Sequence, residues 1–222
     1  MDGAIRLGAR TYCRGRIRRA CHELRRFTLP RMSRGRLEAF SDGVLAIVIT
    51  IMVLELVPPH ESTLEALFAL WPKFLAYVMS FAYIGIYWVN HHHLLHSVHA
   101  VTGRVLWTNL HLLFWLSLVP FTTAWMGENS FAPLPTAFYG ASLLMPAFAF
   151  SLLVAAIVRI PGQNPAFAQE VGRDWKGKVS LGVYAIGIPV ALYAPLVAVV
   201  MFVGIAALWI VPDRRFERVA AS

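Results

Sequence analysis

Apolar residues fill six long runs of this chain, and polar residues are concentrated in the stretches between them. A helix needs about 20 apolar residues to cross the hydrocarbon core of a bilayer, or somewhat fewer in a packed bundle. The fold class predicted from this pattern is therefore all-α, a polytopic membrane protein with six transmembrane helices. The predicted spans are roughly Arg36–Val57, Trp71–His93, Val105–Met126, Thr136–Val158, Val179–Tyr193 and Pro195–Val211.

The last two spans come from one apolar stretch, residues 179–211, which we divide at Tyr193-Ala194-Pro195. A proline that follows a full span favours a tight turn. A single helix over the stretch would measure about 50 Å at 1.5 Å per residue, whereas the hydrocarbon core is about 30 Å thick. Two short helices joined by a turn are therefore predicted.

The charged residues support this arrangement. The 222 residues are 58% hydrophobic and 14% charged, whereas soluble domains carry about 25% charged residues. With six spans, 19 of the 20 Lys and Arg residues fall on the side of both termini, and only Lys73 falls on the other side. Because cytoplasmic loops are rich in Lys and Arg, both termini are predicted to be cytoplasmic, in a multi-pass protein of the plasma membrane.

The chain begins with a strongly basic segment. Eleven arginines lie within residues 1–36, and a basic arm of this kind can bind nucleic acid. We favour a role in membrane orientation and contact with anionic lipid, with no nucleic-acid partner. The spacing of Cys13 and Cys21 matches no zinc motif. The predicted organisation is a disordered or loosely helical tail over 1–33, a six-helix domain over 34–213 and a short basic cytoplasmic tail over 214–222.

The first span has two different faces. On a helical wheel, the residues within about 60° of Ile47 form one mainly apolar stripe. Its members are Phe40, Gly43, Val44, Ile47, Thr50, Ile51 and Leu54. Ser41 and Asp42 fall on the opposite side, near the predicted cytoplasmic end. An ionisable group inside a span is costly and indicates a functional or structural partner.

The second and third spans each bring an amide and a histidine to the depth of Asp42: Asn90 and His91, and Asn109 and His111. Buried polar groups in a membrane need hydrogen-bond partners from within the protein. We therefore predict a polar network that ties the first three helices together, with Arg36 as a cation at its edge. Its predicted members are Ser41, Asp42, Asn90, His91 and His111.

Three segments of the first three spans carry recognisable motifs. The first is Arg36-x-x-x-Phe40-Ser41-Asp42-Gly43, followed by Ala46-Ile47-x-x-Thr50 and Leu54-Glu55-Leu56. The second is Tyr87-Trp88-Val89-Asn90-His91-His92, and the third is Leu116-Ser117-Leu118-Val119-Pro120-Phe121. These three segments resemble those of a known family, the transmembrane protein 175 potassium channels of lysosomes and prokaryotes. The last three spans resemble the family only in hydropathy.

The resemblance implies a potassium-permeable channel with its first helix lining the pore. Animal members carry two six-helix units, whereas this chain carries one, which implies a homotetramer. Carried over by motif position, Ile47, Ile51 and Leu54 form the apolar rings that narrow the pore, and Thr50 is the polar lining residue. Potassium is expected as the permeant ion, and no cofactor is expected.

A pore of this kind would work without a Thr-Val-Gly-Tyr-Gly filter, which the sequence lacks. Rings of Ile or Leu side chains can gate a pore by dewetting. Cation preference would then come from the cost of dehydration, from the Thr50 hydroxyls and from charge at the mouths, where Glu55 is the outer candidate. We expect modest selectivity for potassium over sodium.

Two other functional classes are weighed against a channel. Six of the eight histidines (His91, His92, His93, His96, His99 and His111) cluster near one predicted face, as in a membrane metalloenzyme of the desaturase or oxidase type. Although His92 and His96 share a helix face, no second H-x-x-H-H cluster and no H-E-x-x-H pair is present, so we predict neither a metal site nor an enzyme. A secondary transporter would show inverted repeats, which are not evident.

Overall fold

The computed structural model of the protein describes residues 32–98, 100–160, 162 and 175–210, and these residues are helical with short connections. The helices are α1 (Arg34–Leu54), α2 (Leu64–Phe68), α3 (Trp71–His96), α4 (Gly103–Ser117), α5 (Val119–Glu128), α6 (Pro133–Val158), α7 (Trp175–Tyr193) and α8 (Pro195–Ile210). The predicted all-α class is confirmed. The expectations for residues 1–31, including Cys13 and Cys21, for His99 and for the tail over 214–222 lie outside the described residues.

The start of α1 follows from the sequence around Ser33. The backbone N–H of Arg36 donates to Ser33 Oγ at 3.4 Å and to the Ser33 carbonyl at 3.1 Å. A serine in this position satisfies one of the N–H groups that the first helical turn leaves without a partner. The helix therefore begins two residues before the predicted span.

The predicted division near the end of the chain agrees with the structure. Helix α7 ends at Tyr193 and α8 begins at Pro195, so that only Ala194 separates them. The proline cannot donate the hydrogen bond that would continue α7.

The third predicted span, in contrast, is not one uninterrupted helix. Helix α4 ends at Ser117 and α5 begins at Val119, with Leu118 between them. Pro120 lies in the first turn of α5 and lacks the N–H that would bond to the Leu116 carbonyl, which breaks the regular ladder. The predicted span Val105–Met126 therefore consists of two short helices in series, which together form one stretch, Gly103–Glu128, long enough to cross a membrane.

Length and hydropathy alone mark three stretches of the described residues as able to cross a membrane: Arg34–Leu54, Gly103–Glu128 and Pro133–Val158. The shorter α8 is apolar as well. Helix α3 has Lys73 at one end and histidines at the other, which lowers its mean hydropathy. The helices thus occupy the six predicted ranges, whereas the six-span topology and its cytoplasmic termini stay predictions.

Two groups of buried side chains hold the bundle together. One joins α1 to α3, α4 and the second half of α6, and the other joins the first half of α3 to α5, α6, α7 and α8. In the second group, the ring of fully buried Phe202 lies against Gly140 and Gly187, where a Cβ would come within 2.7 Å and 2.5 Å of that ring. Helix α1 packs mainly against α3, α4 and α5, so it lies at one side of the chain.

Candidate functional site

The stripe predicted on α1 is open to the surroundings of the single chain. The side chains of Ile47, Ile51 and Leu54 are 58%, 43% and 74% exposed, and Phe40 and Thr50 are exposed as well. The residues on the other side of the helix are buried, namely Leu37, Ser41, Leu45, Val48 and Met52. A continuous exposed apolar face on a helix whose back is packed marks a contact with lipid, with a partner or with a pore axis.

A groove of about 730 Å³ runs beside this stripe between α1 and α5. Ile47 and Ile51 contribute to its wall from α1, and Phe121 and Trp125 contribute from α5. Two exposed carboxylates, those of Glu55 and Glu128, also line it. The predicted mouth residue Glu55 follows the last residue of α1 and is therefore at the end of the stripe.

Thr50 is the polar member of the stripe. Its hydroxyl donates a hydrogen bond of 2.9 Å to the Ile47 carbonyl on the preceding turn. Since a hydroxyl has one hydrogen and two acceptor lone pairs, this bond leaves the Thr50 oxygen available as an acceptor. The side chain thus presents an electronegative atom on an otherwise apolar face.

A buried polar network joins the back of α1 to α3 and α4, but of its predicted members only Ser41 and His91 take part. Ser41 Oγ donates to the Leu37 carbonyl at 2.9 Å and accepts from Asn109 Nδ2 at 3.0 Å. The Asn109 Oδ1 atom lies 2.7 Å from His91 Nε2. Because a carbonyl and an amide oxygen can only accept, hydrogen donation runs in one direction, from His91 through Asn109 and Ser41 to Leu37. These three polar side chains are all buried.

Several predicted members do not join this network. Asn90 Nδ2 donates to the Ile86 carbonyl on its own helix, and His111 Nε2 accepts from Trp115 Nε1, also within one helix. Each side chain finds a hydrogen-bond partner one turn away on its own helix. A similar depth in the membrane therefore did not suffice to predict a bond between helices. Arg36 is exposed and makes no side-chain contact with the network among the described residues. The predicted roles of Asn90, His111 and Arg36 were therefore wrong.

Asp42 is held separately from Ser41. A second set of contacts joins α1 to α3 at one-turn intervals: Arg34 with His96, Glu38 with His92, and Asp42 with Trp88. Each step advances four residues along α1 and returns four residues along α3, as expected for two antiparallel helices. We call these three contacts the α1–α3 ladder. It lies on the side of α1 that the wheel places opposite Ile47.

The sequence does not predict Asn109 as the centre of the network, nor Glu38 and Trp88 as partners in the ladder. Asn109 lies at the predicted depth of Ser41 and His91. Its amide group can donate and accept at the same time, and this property could have indicated that it bridges the two residues. Glu38 lies one turn before Asp42, on the same face. Pairing it with His92 also required the relative position of two helices, which the sequence does not supply.

The chain is similar to known proteins in both sequence and fold. A family model described as the endosomal/lysosomal potassium channel TMEM175 matches residues 36–120. A potassium channel of Chryseobacterium sp. (strain P1-3) is 48% identical over 187 residues, which cover 84% of this chain and 97% of that protein. The chain belongs to the TMEM175 family. The resemblance drawn from the three sequence segments is therefore confirmed.

Two further relatives agree with the TMEM175 assignment. The mouse protein named endosomal/lysosomal proton channel TMEM175 is 33% identical over 146 residues, which cover 57% of this chain and 29% of the mouse protein. A crystal structure described as a lysosomal potassium-selective channel TMEM175 homolog from Chamaesiphon minutus matches with a TM-score of 0.70 at 28% identity, covering 80% of this chain and 96% of that one. As a TMEM175 member with long apolar helices, the chain is a membrane protein. The α1 stripe, the network and the ladder all lie within the matched residues 36–120, except for Arg34.

Proposed function

We propose that the chain forms a potassium-permeable cation channel of the plasma membrane, as a homotetramer in which four copies of α1 surround the pore. The observation that carries this proposal is the combination of an exposed Ile47, Ile51 and Leu54 stripe with a back face fixed by hydrogen bonds. These hydrogen bonds fix the rotation of α1 about its own axis, and a helix whose exposed face met only lipid would not need its rotation fixed in this way. The relatives named as potassium channels support the choice of ion.

The proposed gate is a hydrophobic constriction. Four copies of Ile47, Ile51 and Leu54 would form three successive apolar rings, since they are spaced by about one helical turn each. A narrow apolar ring expels water, and an ion cannot cross the dry segment without losing its hydration shell. Opening would require the four helices to tilt or rotate, so that the rings widen and become wet.

Selectivity in this proposal is modest and comes from polar groups near the rings. Thr50 lies between Ile47 and Ile51 in sequence, and its oxygen can accept a hydrogen bond or contact a cation while its hydrogen is bonded to the Ile47 carbonyl. Four such oxygens would favour a cation that dehydrates easily, which potassium does more readily than sodium. Glu55 adds negative charge at one mouth and would concentrate cations there.

No catalytic role is proposed, because the named relatives are channels. Potassium is the permeant ion and not a resident cofactor. Membrane lipid surrounds the assembly, and the basic residues of the N-terminal segment would favour anionic lipid.

The decisive experiment is a flux assay on purified protein in liposomes. Potassium and sodium fluxes are measured in separate preparations, and the mass of the assembly is measured by native mass spectrometry. We expect a mass of four chains and a faster potassium flux than sodium flux. A stable monomer, or a reconstituted tetramer that passes neither ion, would contradict the proposal.

A further inference from the structure

The contact between Glu38 and His92 is the centre of a cluster that neither the pore nor the buried network uses. Glu38 Oε1 lies 2.9 Å from His92 Nδ1 and 3.9 Å from His96 Nε2. One potential ligand atom from each of the three side chains lies within 4.8 Å of the others. Two nitrogens and a carboxylate oxygen thus converge on one point between α1 and α3.

The geometry of this cluster matches the needs of a transition-metal ion. Zinc binds histidine nitrogen at about 2.0–2.1 Å in tetrahedral sites, so neighbouring ligand atoms are about 3.4 Å apart. The observed separations of 2.9 Å and 3.9 Å bracket that value. His92 and His96 are one turn apart on a helix, the spacing at which two imidazoles can share one ion. Their rings lie close together, with centroids 4.6 Å apart.

The chemistry of the ligands decides which class of ion fits. Imidazole nitrogens favour zinc and similar transition metals, whereas magnesium and calcium prefer sites made of oxygen. Three protein ligands leave a fourth position for water, which is the arrangement of open zinc sites. His92 and His96 are partly exposed, with side-chain accessibilities of 42% and 50%, so an ion can reach the cluster from outside.

We propose that Glu38, His92 and His96 form a binding site for a divalent transition-metal ion of the zinc class, which would cross-link α1 to α3. The ion would occupy the middle step of the α1–α3 ladder. One turn earlier on α1, Arg34 Nη1 donates to the His96 carbonyl at 2.9 Å, and one turn later Asp42 accepts a hydrogen bond from Trp88. Because Arg34 bonds to the backbone of His96, it leaves the His96 ring free for the ion.

The site differs from the metalloenzyme considered from the sequence. That alternative relied on histidines of α3 alone, of which His91 faces Asn109 inside the bundle. The third ligand here comes from α1 instead, which a search for histidine motifs could not find. The ion would therefore act on the position of α1 and not on a substrate.

The test uses the full-length protein, freed of any histidine tag, with Cys13 and Cys21 replaced by serine so that the two thiols cannot bind zinc. Zinc chloride alone is titrated into this protein in an isothermal calorimeter. We expect one zinc ion per chain and an increase in the unfolding temperature on binding, since a ligand that binds only the folded state stabilises it.

The variants His96→Gln and Glu38→Gln should each lower zinc affinity by at least about tenfold, since even the loss of a group supporting a metal ligand costs that much. The matched control is His93→Gln, which changes a histidine of the same helix outside the cluster and should bind zinc as before. If either ligand variant does not fold, His92→Asn replaces it. Absence of zinc binding in the starting protein, undiminished binding in His96→Gln, or equal loss in His93→Gln would overturn the proposal.

Discussion

Trp88 Nε1 on α3 donates a hydrogen bond of 3.0 Å to Asp42 Oδ1 on α1. The pair lies one turn from the contact between Glu38 and His92, so the two contacts fix the rotation of α1 about its axis as well as its distance from α3. With its back held in this way, α1 presents Ile47 on the opposite face. The two contacts between these antiparallel helices, and not the stripe itself, therefore determine where the stripe points.

Replacement of Asp42 by alanine should damage assembly more than ion selectivity. The substitution removes the acceptor of Trp88 on the side of α1 that is opposite the stripe, at a cost of about 1–2 kcal/mol. Asp42→Asn retains an oxygen that can accept from Trp88 and serves as the matched control. The measurements are the tetramer fraction by native mass spectrometry and the ratio of potassium to sodium flux in liposomes.

The result for Asp42→Ala distinguishes a carboxylate that holds α1 against α3 from a carboxylate that lines the ion pathway. A smaller tetramer fraction with an unchanged flux ratio agrees with a structural role. A stable tetramer with an altered flux ratio would place Asp42 at the ion pathway and would contradict its contact with Trp88 as the main role.

Replacement of Asn109 by alanine should destabilise the chain more than replacement of Asn90 by alanine. Asn109→Ala removes both bonds that cross between helices: His91 Nε2 loses its partner, whereas Ser41 Oγ keeps only its bond to the Leu37 carbonyl. A buried donor left without a partner, here His91 Nε2, costs about 1–3 kcal/mol. Asn90→Ala removes only a bond to the backbone of its own helix. Thermal unfolding of both variants in the same detergent compares the two effects, and equal unfolding temperatures would show that the network contributes nothing specific.

The sequence was sufficient to predict the long apolar helices, because the hydropathy of each run can be read independently of the others. The short α2 was not predicted. The turn at Ala194, the capping Ser33 and the exposed stripe could all be read locally. The break at Leu118 was also encoded locally by Pro120, yet the apolar pattern continues across it and conceals it.

The polar contacts were harder to predict because they depend on the relative rotation of two or three helices. Ser41 and His91 were assigned correctly to one network, since both are polar groups in apolar surroundings. Asn90 and His111 meet the same criterion but satisfy themselves within their own helices. Only the structure distinguishes a polar group that bonds back to its own turn from one that reaches a neighbour.

Replacement of Ile47 by asparagine should increase ion leak and lower the preference for potassium. In the proposed pore an amide in the ring would hydrate the constriction and remove part of the dewetting barrier. Val53→Asn is the matched control, because Val53 is similarly exposed, at 47%, but lies off the stripe. Potassium and sodium fluxes in liposomes are compared with those of the unsubstituted protein.

Leu54→Asn extends this test to a second ring. If Ile47→Asn and Leu54→Asn both leave the fluxes unchanged, the stripe serves helix packing and the ions take another route. If Val53→Asn raises leak as much as Ile47→Asn, the effect comes from a weakened helix and not from a wetted ring.

A shortened protein that begins at Met32 should insert, assemble and conduct like the full chain. The elements that start α1 all follow that residue: Ser33 caps the helix, and Arg34 bonds to the carbonyl of His96. The positive charge needed for orientation remains at Arg34 and Arg36. The measurements are the yield of membrane-inserted protein, the tetramer fraction and the potassium flux.

The control for this truncation is the same shortened protein with Ser33→Ala and Arg34→Ala. It loses the cap and the first contact of the α1–α3 ladder, and we expect it to unfold at a lower temperature, with about 1 kcal/mol lost from the cap alone. If the protein beginning at Met32 already fails to insert or loses flux, residues 1–31 are required for the channel. If it conducts normally and only the Ser33 and Arg34 variant is impaired, the structural start of the channel lies at Ser33.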